Sequence, residues 1–572
     1  MDARNSTAAA PVLRPGNDGL LRADRLPDVP IMAARLQGEL SPDGRLQLAL
    51  WGDGAPARLR LEGLAGDCEI APGRVTAGGG ELWVAQSQPV LAVRGAKPVV
   101  EHPPGGAVRL TVEGRGGDWV VAMGANEAEA GRAAALGREA IVAEADAYAA
   151  RCDQLPAADP VLRTMVIHGA HAALSSIRRH ADGVFAGLSA GLAYSSPART
   201  YYRDSYWTLQ LLLRLAPDIV LPQIELLALR VQADGEAPSG VIVATPDVME
   251  AWERLRLSEP VLAALHWRAG EWWSDHFDSP LFFVLAVADY VAATGDDGPA
   301  RRHWPRLKAV FERYEGLSGF DGLPVKPRND RDWADNVFRQ GRVAYDLGLW
   351  VGALDALVRL GETHDPDLAA RARSRATAAR AMIDPALWRG AWWADFLRPD
   401  GSAEEHLALD SLTLLRHDAV PDDRARQVLE QLRTRLESRR NSDQPCGDFG
   451  MPCVWPPYAR RAELRGKSAF PYRYHNGADW PWLDGLYAGE RLRRGMAGWR
   501  YPLTRWWEKA LQNGWAGAVE YASPAFGRGS LLQGWSSLPA AVAIAYADQV
   551  LNDDPDNDEG RAMLEDGAAA AD

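Results

Sequence analysis

Two carboxylates, each inside an aromatic and turn-rich stretch, are the residues of this chain best suited to chemistry. Asp278 lies in WWSDHFDSPLFFVLAVADYVAATGD and Glu520 in VEYASPAFGRGSLLQGWSSLPAA, 242 positions apart (520 − 278). Glycosidic bond hydrolysis needs such a pair: an acid protonates the leaving oxygen and a base handles water or the anomeric carbon. Asp278 precedes Ser279 and Pro280 at the head of an apolar run, so it also reads as a helix N-cap. Its aromatic flank would desolvate the carboxyl and raise its pKa, whereas a helix N-terminus would lower it. Glu520 falls in a loop, where a glutamate is ordinarily just solvated. The Gly, Pro and aromatic residues around it, and the apolar helix that follows, single it out.

Three further clusters supply candidate sugar contacts. TYYRDSYWT offers Tyr202, Arg203, Asp204 and Trp207. RNDRDWADNVFRQGR offers Asp332, Trp333, Asp335 and Asn336, a dense set of partners for hydroxyls. YRYHNGADWPWLDG offers His475, Asn476, Asp479, Trp480 and Trp482, and Trp535 follows in LLQGWSSLPA. Trp gives a flat apolar platform for the C–H face of a sugar ring, but it also packs in cores. Each cluster alone could be loop architecture; three together point to carbohydrate.

These residues need a scaffold that gathers them. Residues 155–551 hold twelve periodic apolar segments, which predict a mainly α domain of six helical hairpins closed into an (α/α)6 barrel, or toroid. Segments apolar on nearly every face, such as DSPLFFVLAVADYVAA, would be inner helices, and amphipathic ones such as DDRARQVLEQLRTRLESR outer helices. Long loops at 184–203, 318–341 and 440–478 would collect at one end. Ahead of the barrel, residues 30–125 read as short alternating strands of a β-sandwich domain, and 126–154 as a helical linker. Residues 1–29 are expected to be disordered or extended, and 552–572 an acidic flexible tail.

Composition narrows the partners. Of 22 Trp, only Trp51, Trp83 and Trp119 fall in the first 200 residues. The formal net charge of −13, with no dense Lys/Arg tract, argues against nucleic acid. No apolar run reaches membrane-spanning length, and the start lacks a signal-peptide core, so a soluble cytoplasmic protein without membrane association is expected. Cys446 and Cys453 are spaced too widely for a CxxC and no second pair completes a zinc set, so neither metal nor cofactor is expected. The expected partner is a small carbohydrate; the sequence leaves the oligomeric state open.

The motifs also resemble a known group. DSPLFFVLAVADYVAATGD resembles the acid-bearing helix of the six-hairpin glycosidases, especially family 63 and amylo-1,6-glucosidase (glycogen-debranching) enzymes. VEYASPAFGRGSLLQGWSSLPA resembles the later E-x-Y-x-P-x-x-G stretch of family 63-like enzymes, YYRDSYWT their R-D motif, and YHNGADWPWLDG their HNG-x-x-WP-x-x-N stretch. Asp484 stands where the last motif has Asn, HFDSPLFF lacks a double Trp, and residues 440–470 match no part of the pattern. The resemblance implies a glycoside hydrolase with Asp278 as general acid and Glu520 as general base. It would be inverting and exo-acting on short α-glycosides, an α-glucoside first. Asp332 and Asp335 stand next in line as base. The fold also hosts α-L-rhamnosidases, phosphorylases, epimerases and lyases, and a non-catalytic carbohydrate-binding protein would keep the Trp platforms without the pair.

Overall fold

The computed structural model describes residues 10–52, 56–195, 197–243, 268, 270–319, 321–327 and 331–552. The chain divides into two compact units. One comprises Met1–Arg199, Trp507–Glu520 and Ser530–Ser537; the other comprises Thr200–Trp506, Tyr521–Gly529 and Leu538–Asp572. Of the segments expected to be disordered or flexible, 1–29 and 552–572, residues 1–9 and 553–572 lie outside the described residues.

In the first unit, alternating apolar and polar residues form two antiparallel sheets. In Arg45–Leu50, for example, Leu46, Leu48 and Leu50 are buried while Arg45 and Gln47 face out. Five strands from Val29–Ala33 to Lys97–His102 make one sheet and eight make the other. The eight-stranded sheet recruits Arg14–Pro15 and Leu21–Ala23, so pairing starts ahead of residue 30. The expected linker is two helices. Asn126 caps Glu127–Ala134 by accepting the Glu129 N–H, and Gly137, at φ 77°, separates it from Arg138–Cys152. Ala133, Ala134, Ile141 and Ala145 share one core with Trp83, Ala92 and Ala122 of the larger sheet. These helices are therefore a layer on the sheet rather than a free bridge.

In the second unit, each helix that is buried on nearly every face packs against the next. Tyr202–Leu215 meets Ser279–Thr294, which meets Ala344–His364, then Leu412–Arg416, Pro481–Arg493 and Leu538–Ala545. Leu538–Ala545 returns to Tyr202–Leu215, so the six close a ring. The amphipathic helices Pro217–Ala228, Gly298–Gly316 and Pro366–Leu387 each pack on the ring helix they follow. Two glycines set the close approaches. A Cβ at Gly348 would meet the Thr413 backbone at 2.4 Å, and one at Gly485 the Pro539 nitrogen at 2.7 Å. Among the described residues, no helix is long and apolar enough to cross a membrane.

Candidate active site

Five of the six ring helices begin with carboxyls. Asp204, Asp346 and Asp484 sit in first turns, Asp278 immediately precedes Ser279–Thr294, and Asp410 lies in the turn Leu409–Ser411 that leads into Leu412–Arg416. Helix N-termini favour negative charge, yet these groups are almost wholly enclosed and must be answered locally.

Asp278 is fully buried. His276 Nδ1 lies 2.7 Å from Oδ1, while Arg203 Nη1 and Tyr345 Oη each donate to Oδ2 at 3.0 Å. Burial works against its ionisation, but the Arg203 guanidinium and His276 outweigh that and hold the carboxyl below the usual range. Its side chain makes no capping bond. Asp278, the expected general acid, thus has both oxygens engaged and its side chain fully enclosed. Sequence could weigh the opposing influences on Asp278, but Arg203 and Tyr345 approach from distant parts of the chain.

Asp332 is likewise enclosed. Lys326 and Arg339 hold its carboxylate well below the ordinary value, and the Ala334 N–H donates to it at 2.8 Å. Arg339 also reaches Asp395 at 3.0 Å and Asp410 at 2.6 Å, and Trp333 Nε1 donates to Asp410 at 2.5 Å. Burial pushes Asp395 up to about 6. Burial, with Asp332 and Asp278 nearby, raises the pKa of Asp346 well above the ordinary carboxylate value. Lys326, Arg339, Asp346, Asp395 and Asp410 are absent from the sequence-based set. The signal that could have found Asp346 is a lone charge inside the apolar run VAYDLGLWVGAL.

Above this network stands an aromatic cluster. His475 stacks on Trp480 at 5.0 Å and 15°, with Trp333 edge-on at 4.8 Å. Burial lowers its pKa well below the usual value, so the imidazole is neutral. Tyr521 packs on Tyr474 at 5.1 Å and on Trp480 at 5.2 Å. Tyr474 itself takes a left-handed backbone, φ 54°, uncommon for so bulky a residue. An Asp335 carboxylate oxygen lies 3.5 Å from His475 Nδ1, and the Asp335 side chain is 19% exposed, against none for Asp278 and Asp332. Asn336 beside it is half-buried.

Glu520 belongs to the first unit, whereas Asp278 and Asp335 belong to the second. It stands in a hairpin closed by the bridge between Val519 and Leu531. Its side chain is buried, not solvated: Tyr194 Oη donates to Oε1 at 2.6 Å and the Ser530 N–H to Oε2 at 3.0 Å. The next residue in the chain is Tyr521 of the aromatic cluster.

Several expected sugar contacts turn out to be architecture. Asn476 spends its amide on main-chain groups of Tyr458 and Ser468. The Tyr202 hydroxyl donates to the Leu227 carbonyl. Trp207 stacks on Trp482 at 5.2 Å, and both are enclosed, as are Trp333, Trp480 and Trp535. Trp207 and Trp482 fill the core because ring helices buried on all sides need large apolar side chains. Asp479 is buried beside Asp484 rather than open to a hydroxyl. Asp204 is buried at the head of its helix, while Arg203 keeps a tenth of its side chain exposed.

No family model matches the chain, and no curated protein sequence matches it. Solved structures do match its fold. A rhamnosidase from Klebsiella oxytoca with rhamnose bound is similar at 16% identity and a TM-score of 0.52, over 94% of this chain and 95% of that one. A bacterial glucoamylase complexed with acarbose is similar at 11% identity and a TM-score of 0.53, over 97% and 87%. A family 63 mannosylglycerate hydrolase from Thermus thermophilus overlaps 65% of this chain at 15% identity and a TM-score of 0.49. At these identities the likeness is one of fold: the chain folds as the rhamnosidase and the glucoamylase do.

Proposed function

We propose that this protein is a glycosidase that hydrolyses terminal sugars from short α-glycosides with inversion, on an (α/α)6 barrel formed by the helix ring and its outer helices. In this reading Asp335 is the general acid and Glu520 the general base. The observation that carries it is the exposure of Asp335 beside the neutral His475, where Asp278 and Asp332 are closed off. A general acid must reach the glycosidic oxygen, and Asp335 retains that access. Glu520 is the base that its sequence motif implies, and its carboxylate is held by the Tyr194 hydroxyl and the Ser530 N–H.

Asp278 then has a different role. It fixes the Arg203 guanidinium, whose exposed fraction can donate to a sugar hydroxyl. The Lys326–Asp332–Arg339 network holds the segment that presents Asp335.

The test is a panel of aryl α- and β-glycosides, with α-glucoside and α-L-rhamnoside first because the neighbours of this fold act on such sugars. The anomer of the first product is read by proton NMR. One sugar should be released with inverted configuration, and Glu520→Gln should keep its binding while losing turnover. Sugar binding by calorimetry with no hydrolysis of any member would overturn the reading, and a retained anomer would replace inversion by a covalent route.

A further inference from the structure

Residues 458–473, YARRAELRGKSAFPYR, carry five basic side chains against the single acid Glu463, a net +4 (5 − 1) in a chain of formal charge −13. Part of that charge is answered nearby. Arg460 lies 3.5 Å from Glu463, and Arg465 donates to the Asp335 carbonyl at 2.7 Å. Lys467 and Arg473 differ. Among the described residues, neither side chain has a carboxylate partner or a hydrogen-bond acceptor, and the Arg473 Nε–H is buried without one.

Both cations lie on aromatic rings instead. The Lys467 ammonium is 4.9 Å from the Tyr474 ring and 5.3 Å from that of Tyr521. The Arg473 guanidinium is 4.6 Å from the Phe526 ring and 5.6 Å from that of Phe470. Phe470 and Phe526 are 5.7 Å apart and remain 49% and 43% exposed. A stacked guanidinium keeps its in-plane N–H groups available, and these match a carboxylate. Two exposed phenyl rings in contact form an apolar shelf that a flat ligand would cover. Its place follows from the chain: Tyr474 precedes His475, and Tyr521 follows Glu520.

We infer that this shelf receives the leaving-group side of the substrate and selects a flat aglycone bearing a carboxylate, of which a carboxylated aromatic ring is the simplest case. The inference rests on the glycosidase reading above. The sugar occupies the enclosed end near Asp335 and His475, so the exposed shelf meets what departs. Lys467 and Arg473 take the carboxylate, and Phe470 and Phe526 the ring.

The experiment compares a phenyl and a 3-carboxyphenyl glycoside of the sugar that the panel identifies. Arg473→Met and Lys467→Met should each lower kcat/KM for the carboxylated compound about tenfold more than for the phenyl one, the scale of a lost charge-assisted bond. The ratio between variant and native enzyme cancels the different leaving abilities of the two phenols. Added salt should shrink the difference. Phe526→Ala should lower both aryl compounds relative to a methyl glycoside. Equal losses for the two aryl compounds, or no effect of salt, would overturn the shelf. Calorimetry on Glu520→Gln separates this from the activity itself. If no glycoside is hydrolysed yet the carboxylated one still binds more tightly in an Arg473-dependent way, the glycosidase reading fails and the shelf stands. If phenyl glycosides are hydrolysed and the carboxylate makes no difference, the shelf fails alone.

Discussion

The ring mouth and the strap at 458–473 handle charge in opposite ways. Inside the mouth, Asp278 is matched by Arg203, and Asp332 by Lys326 and Arg339, all in full burial or close to it. On the strap, Lys467 and Arg473 lie on aromatic faces with no acid among the described residues to answer them, and Asp335, which the strap's Arg465 touches, keeps part of its surface open. A buried charge costs several kcal/mol unless paired, so the mouth's ion pairs are the condition for having those residues there at all. Pairing them also uses up their chemistry. A general acid must bring a proton to the leaving oxygen, and Asp278, held ionised by Arg203 and without exposed surface, has none to give; the proposed acid is therefore Asp335.

The largest effect should separate these two aspartates. Asp335→Asn should cut hydrolysis of a glycoside with a poor leaving group by about 10²–10⁴-fold, the usual contribution of a general acid. A dinitrophenyl glycoside, whose leaving group needs no proton, should lose far less. Asp278→Asn should slow both substrates alike. If Asp278→Asn instead shows the leaving-group dependence, the mouth and not its rim holds the acid.

Next in size is stability. Asp278→Asn leaves Arg203 buried against a neutral partner, a loss of about 3–5 kcal/mol of folding free energy by comparison with broken buried pairs. Chemical denaturation would read it. A midpoint as high as that of Asp335→Asn would mean that the pair contributes little. Trp207→Ala should cost a similar amount, about 3–5 kcal/mol, by opening a cavity beside Trp482. If sugar affinity fell while stability held, Trp207 would be a platform after all.

The helical half of this architecture is legible because burial on every face leaves a long apolar run in sequence. All twelve such segments carry helix, even the short Leu412–Arg416. The carboxyl-bearing motifs are legible as carriers of buried or half-buried acids, as at Asp278, Asp332 and Asp335. Their roles are not legible. Whether Asp278 is an acid or an anchor depends on Tyr345 and Arg203, 67 and 75 residues away. The Trp residues mislead for a related reason: a Trp beside Asp and Pro reads as a loop platform, but in DWPWLDG the Pro481 starts a ring helix and turns Trp482 into the core. Glu520 reads as solvated because the hydroxyl that covers it, on Tyr194, comes from 326 residues earlier.

The smallest effect concerns Asp479 and Asp484, two buried acids that lie side by side. Burial pushes Asp479 up to about 7, and burial together with Asp479 pushes Asp484 well above the ordinary range. Both groups favour the protonated form in the folded state. Their stabilisation is complete below the unfolded value near 4 and drains away as pH climbs through about 7, opposite in sign to Asp278, whose lowered pKa stabilises above that value and fails in acid. Asp484→Asn replaces the protonated acid by an amide that donates to Asp479 without needing a proton. It should flatten the fall of Tm between pH 5 and pH 8 and raise Tm at pH 8 by roughly 2–4 °C for each kcal/mol recovered. It should leave the acid limb, set by Asp278 and Asp332, where it is. Superimposable Tm–pH curves for native and Asp484→Asn protein would show that the two carboxyls do not share a proton, and that the mouth tolerates unpaired buried acid as readily as paired.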